Sequence, residues 1–130
     1  MKAKTIMTIA AVSAAAILNA VEKPVWVYLG SYAKGEDQGI TLCELDRSNG
    51  KLKKLKVFGG HPNPSFLEIH PSNKFLYAVN EIGDYEGKKA GSVTAFSIDP
   101  KTGDLTQLNQ LSSKGGAPCH LAIGDKGKIL

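Results

Sequence analysis

An all-β fold, a β-propeller built of four-stranded antiparallel blades, is what three observations on this 130-residue chain predict. After residue 20, short β-branched and aromatic runs succeed one another between glycine, proline and asparagine turns. Long helix-forming runs are missing from the same region. A unit of about fifty residues and four strands also recurs, the period of a propeller blade. About two blades are present.

The elements follow in order. Met1–Ala20 opens with Lys2 and Lys4 and continues through an apolar run of 13 residues from Ile6 to Leu18. A charged start, a short apolar stretch and small residues at Ala14, Ala16 and Ala20 read as a secretory signal over residues 1–20. The run is short for a bilayer span; an uncleaved anchor or an amphipathic first helix is the alternative. Export to the periplasm or beyond follows from the signal reading, and residues 21–130 remain for the propeller.

The first strand is Val25–Gly30, after Pro24. Gly39–Asp46 is the second, closed by the turn Arg47-Ser48-Asn49-Gly50. Leu52–Phe58 is the third, leading into the proline-braced loop 59–64. Ser65–Ile69 and Phe75–Val79 form a hairpin around His70-Pro71-Ser72-Asn73-Lys74. Gly91–Asp99 follows, with Pro100-Lys101-Thr102-Gly103 as its turn, and Leu105–Leu111 comes next. A final pair of strands is expected within Pro118–Leu130.

The repeat sets a register. Leu45, Asp46, Gly50, Leu52 and Leu55 match Ile98, Asp99, Gly103, Leu105 and Leu108 at a separation of 53. Pro64, Leu67, Ile69 and Leu76 match Pro118, Leu121, Ile123 and Leu130 at 54, and Tyr28 matches Tyr77 at 49. A blade apolar on both faces needs neighbours on either side. One whole unit, most of the one before it and the start of the next are expected, as in an N-terminal fragment of a longer ring.

Charge and cysteine content narrow the function classes. The formal charge of +4 contains Lys2 and Lys4; without them 14 basic residues stand against 12 acidic ones. Lys51, Lys53, Lys54 and Lys56 lie on one expected strand and its entry turn, where a solvated edge is the simpler reading than a nucleic-acid surface. Cys43 and Cys119 occupy non-equivalent places in the repeat, so two buried small apolar residues are expected in preference to a disulfide. No Cys/His pattern has zinc spacing, no glycine run precedes a helix as a phosphate loop does, and Asp84-Tyr85-Glu86 lacks the oxygen spacing of a calcium loop. No metal or cofactor is expected.

VYLGSY, then GI, NPSFLEIHPSNKFLYAVNE, GSVTAFSIDPKTGDLTQLN and GAPCHLAIGDKGK occur in an order that resembles the 6-phosphogluconolactonase-type lactonases. That family is similar in turn to the carboxymuconate-cyclising enzymes. The resemblance covers Val25 to Leu130 and implies a seven-bladed propeller that opens a sugar lactone without an obligatory metal. The leader is a departure, because phosphosugars are intracellular metabolites.

Strand parity divides the loops between two rims. One rim collects Gly30-Ser31-Tyr32, Gly60-His61-Pro62-Asn63, Asn80-Glu81 and Gly116-Ala117-Pro118; the other collects the regular turns. The longer, less regular loops of the first rim are the expected functional ones. There His120 takes the slot that Phe66 fills one repeat earlier. An imidazole near the central channel can act as general base on a water attacking a lactone carbonyl; filling the slot with a ring nitrogen on a backbone carbonyl is the structural alternative. Glu81 is the second catalytic candidate, to orient His120, share the proton transfer or bind sugar hydroxyls; a solvated loop glutamate is the structural alternative. Asn80, Ser31, Tyr32, His61 and Asn63 are candidate substrate contacts, although strand-end polar residues commonly just satisfy local backbone. The expected function is hydrolysis of a small-molecule lactone by base-assisted water attack. The rivals are a non-catalytic carbohydrate- or protein-binding propeller and a carboxymuconate cycloisomerase. The latter needs channel-facing arginines, and the chain's one arginine, Arg47, falls on the wrong rim.

Overall fold

A computed structural model describes residues 23–130, so the expected leader lies outside the described residues. Seven strands are found among them: β1 (Val25–Gly30), β2 (Ile40–Leu45), β3 (Leu52–Phe58), β4 (Leu67–Ile69), β5 (Phe75–Asn80), β6 (Ser92–Ile98) and β7 (Leu105–Ser112). They form two antiparallel sheets, ordered β1-β2-β3 and β4-β5-β6-β7. The second is a complete four-stranded blade. Among the described residues no strand pairs with the free edge of β1, the edge that β4 covers on β5.

Local chemistry explains why both sheets turn alike. The Asp46 carboxylate accepts bonds from the Ser48 N–H at 2.9 Å, the Ser48 hydroxyl at 2.6 Å and the Asn49 amide at 2.7 Å. Asp99 takes the Lys101 and Thr102 N–H groups at 2.7 and 3.2 Å in the matching turn. Each turn closes on a glycine with positive φ, Gly50 at 73° and Gly103 at 74°, which an L side chain would resist. Register shifts fall at Leu42/Cys43 and at Ala95/Phe96, again at equivalent places. The repeat is therefore structural as well as sequential.

The core lies between the sheets. Ile40 from the first packs with Leu76, Ala78, Phe96 and Leu105 from the second, flanked by Tyr28, Phe58, Leu67 and Ile98. Apolar burial of this kind is the main favourable contribution. On the rim away from the candidate site, the Tyr28 hydroxyl donates to the Gly103 carbonyl at 2.7 Å and Trp26 lies against the same glycine. Burial, and next the Asp104 charge, push the Tyr28 phenol up to about 12, so it stays a neutral donor. The lysines of β3 are exposed; Lys54 pairs with Asp37 at 2.5 Å and Lys56 with Asp104 at 3.1 Å. Such solvated pairs add little to stability.

Three expectations need correction. The strand expected from Ser65 begins only at Leu67, because the backbone first turns through Asn63, whose φ is 46°. The final pair is reduced to one bridge, Gly124 to Ile129, around a short 3₁₀ turn at Asp125–Gly127. Ladder hydrogen bonds need a neighbouring strand, and none of β1–β7 pairs with this stretch. Cys119 is exposed while Cys43 is buried, and both are free thiols.

Candidate active site

Antiparallel order delivers the ends of β1 and β5, the starts of β2, β4 and β6 and the end of β7 to one rim. Two glycines let the loops there approach closely. A Cβ on Gly30 would collide with the Pro64 carbonyl oxygen, and one on Gly91 with the Pro118 ring. Backbone bonds then tie the loops together. The Glu81 N–H donates to the Asn63 carbonyl at 2.9 Å, and the Ala117 N–H donates to the Ile82 carbonyl at 2.8 Å. Ala117 itself is held at a φ of 50°, a left-handed conformation that costs a residue bearing a Cβ.

Tyr32 and Glu81 meet on this rim. They hold equivalent positions in successive blades, and the Tyr32 hydroxyl donates to Glu81 Oε2 at 2.5 Å. The nearby Ser65 hydroxyl first, and Tyr32 second, hold the Glu81 carboxyl below its usual range. The Ser65 oxygen is itself buried beneath them, outside full hydrogen-bond geometry. Tyr32 is 57% exposed, and its phenol is raised chiefly by the bond to Glu81, with a smaller push from Cys119. A carboxylate and a neutral phenol on one open rim can accept and donate a proton. Asn63 completes the group: its amide donates to the Glu81 carbonyl at 3.0 Å, and its oxygen accepts from Lys34 at 3.5 Å.

His120 is exposed, and its ring lies 4.3 Å from that of Phe66, tilted by 47°. Equivalent residues of adjacent repeats are thus neighbours in space. Among the described residues the contact of the His120 imidazole is this ring, with no hydrogen bond to either nitrogen. Glu81 is bonded to Tyr32, with no direct bond to His120, so the expected orienting role is not the one found. Ser31 precedes Tyr32 in the chain, its hydroxyl accepting from the Ala33 N–H at 3.3 Å.

Two expected substrate contacts prove internal. Asn80 is fully buried, with its amide on the Pro62 carbonyl at 3.0 Å and its oxygen receiving the Thr94 hydroxyl at 2.7 Å. His61 is buried, 8% exposed, with its ring edge-on to Phe96 at 4.8 Å and Nδ1 without a partner. Both strand-end polar groups turn inward because loop 59–64 folds back over the core. Burial lowers the His61 pKa, so the imidazole is neutral in the folded chain. The unfolded chain binds a proton on this residue near pH 6.5 and the folded chain only at lower pH, so stability falls as pH drops below that value. His61→Phe, which keeps the ring contact, is expected to flatten the decline in melting temperature between pH 7.5 and 5.5; an unchanged decline rejects this origin.

The candidate set read from the sequence contains neither Ser65 nor Cys119, yet Ser65 acts on both Tyr32 and Glu81, and Cys119 acts weakly on the Tyr32 phenol. The signal was available: they are 54 residues apart, at the same place in successive repeats, one before Phe66 and His120. Among the described residues no cluster of three or more His, Cys, Asp or Glu is placed to hold a metal ion. A cavity of about 710 Å³ lies at the opposite rim, around Val25, Leu45, Asp46, Arg47 and Leu52. It adjoins the sheet whose inner edge is unpaired and is bounded by ordinary turn residues, so the proton-transfer groups, and not this hollow, locate the candidate site.

The lactonase family, described as a 7-bladed β-propeller, matches residues 26–130. A 6-phosphogluconolactonase of Bacillus subtilis is 32% identical over 103 residues, which are 79% of this chain and 28% of that protein. One from Formosa agariphila is 31% identical over 105 residues, 80% of this chain and 29% of that protein. Among solved structures, the periplasmic gluconolactonase PpgL of Pseudomonas aeruginosa aligns with a TM-score of 0.69 at 30% identity, covering 78% of this chain and 28% of that one. The chain thus spans under a third of the length of these relatives. With its blade architecture, internal repeat and rim in agreement, the chain belongs to the lactonase family of seven-bladed β-propellers.

Proposed function

We propose that this chain supplies the first blades of an exported enzyme that hydrolyses a sugar-derived lactone on the rim carrying Tyr32, Glu81 and His120. The observation that supports it best is the 2.5 Å Tyr32–Glu81 contact on the rim that also bears an exposed His120. In this reading His120 takes a proton from water as the water oxygen attacks the lactone carbonyl. The ring C–O bond then breaks, and the proton returns to the departing alkoxide. An alkoxide leaves more readily than an amine, so a base and a few donors suffice. On lactone binding the Tyr32 O–H turns from Glu81 to donate to the oxygen on which charge develops, and the Glu81 oxygen it leaves accepts from a sugar hydroxyl instead. Ser31 and Asn63 contact the polyhydroxylated ring. Asn80 and His61 support these groups from beneath. Export fits the periplasmic location in the name of PpgL, and no helix of the described residues is long and apolar enough to cross a membrane.

The test uses the complete protein on glucono- and 6-phosphogluconolactone, with Glu81→Gln beside it. Turnover is expected, reduced roughly a hundredfold in the variant, the lower end of the range for positioned acid–base groups. Glycan binding without turnover of any lactone would support the rival binding-module reading.

A further inference from the structure

Asn80 is the centre of a buried polar network that no catalytic step uses directly. Its side-chain oxygen accepts from the Thr94 hydroxyl at 2.7 Å, the Ser92 hydroxyl at 3.3 Å and the Gln110 amide at 3.3 Å. Gln110 also donates to the Ser92 hydroxyl at 2.8 Å. Asn80, Ser92 and Thr94 are all 0% exposed. One residue thereby crosslinks β5, β6 and β7 at their common end. Its remaining donor leaves the sheet and holds the Pro62 carbonyl at 3.0 Å.

That last bond matters for the rim. Pro62 precedes Asn63, and Asn63 clamps Glu81 through two bonds, from its side-chain amide and to its carbonyl. Asn80 also precedes Glu81 in the chain, and its carbonyl accepts the Ile82 N–H at 2.9 Å. Ile82 in turn receives Ala117, three residues before His120. The loops bearing Glu81, Asn63 and His120 therefore converge on one buried residue, the first two through its side chain and the last through its backbone carbonyl. Partly satisfied buried networks are costly and fully satisfied ones are rigid, so such a hub fixes geometry more than it adds stability.

We infer that Asn80 is a positioning residue for the rim site: its buried amide holds loop 61–64 against β5 and thereby sets where the Glu81 carboxylate and Tyr32 stand. The inference rests on the proposed lactonase reading. An aspartate tests it, since a neutral carboxyl can donate to Pro62 and accept from Thr94, whereas an ionised one cannot donate. Burial disfavours the ionised form and raises the pKa of an introduced carboxyl.

In the complete protein, Asn80→Asp is expected to lower kcat about tenfold or more at pH 8, with KM within about threefold, and to regain activity relative to wild type as pH falls. Leu105→Ala, a core truncation at the far end of β7, is expected to lower the melting temperature while leaving kcat intact. Asn63→Ala, on the partly exposed loop, removes both the clamp on Glu81 and the proposed ring contact; the ring contact accounts for a rise in KM, and the lost clamp is expected to lower kcat as well, even if Asn80→Asp fails to fold. Unchanged kcat in Asn63→Ala, or equal kcat losses in Asn80→Asp and Leu105→Ala, overturns the inference while Glu81→Gln remains impaired. A wild type inert on lactones, or a fully active Glu81→Gln, overturns the underlying reading instead.

Discussion

Phe96→Ala should destabilise the protein by about 3–5 kcal/mol, the largest stability effect expected of any single truncation in the described residues. Phe96 is 1% exposed and belongs to the core cluster with Ile40 and Leu105. It also carries the edge of the His61 ring at 4.8 Å, so its removal leaves a void under loop 59–64 as well as between the sheets. Partial collapse cannot fill a void bounded by two hydrogen-bonded sheets. Denaturant unfolding checks the value. A loss below about 1 kcal/mol would show that the blades do not share one close-packed core.

His120→Phe should have the largest effect on turnover. The substitution places at 120 the residue type found at the equivalent Phe66, and that ring already lies against it. Folding is therefore expected to survive while the base is lost. Lactone hydrolysis in the complete protein should fall about a hundred- to ten-thousandfold, the range for removal of a positioned general base. A matching melting temperature with this loss assigns the role to chemistry. Retained turnover would move the base to Glu81, whose carboxyl is held below its usual range and is ionised at neutral pH.

Much of the fold was legible because blades are local objects. Alternating runs and strong turn residues placed β1 to β7 within a residue or two, and the separation of 53 anticipated the paired Asp46 and Asp99 turns. Parity of up-and-down strands likewise put Ser31, Tyr32, Asn63 and Glu81 on one rim, since each strand end follows from the one before. What sequence could not supply was the direction of polar side chains at those ends. Asn80 looks the same whether it faces solvent or core, and its partners Thr94 and Gln110 are 14 and 30 residues away. The same ambiguity hid the burial of His61. The last strand pair failed for a different reason: apolar pattern marks a strand, but only a neighbour completes it.

The Tyr32–Glu81 bond also shows why repeats are informative about sites. Equivalent positions in adjacent blades meet at the channel end of the strands, so a change at one position is a change beside its copy. Phe66 with His120 follows the same rule. Departures from the repeat at this rim are therefore where chemistry can be introduced without disturbing the blade.

The most direct test of the rim assignment is a crystal structure of the complete protein with a gluconolactam, which resists hydrolysis while retaining the ring and carbonyl. The lactam carbonyl is expected within hydrogen-bond distance of Tyr32, with His120 facing its carbonyl carbon and Asn63 on a ring hydroxyl. A lactam bound instead at the opposite rim, among Asp46, Arg47 and Ser48, would contradict the assignment of the active site.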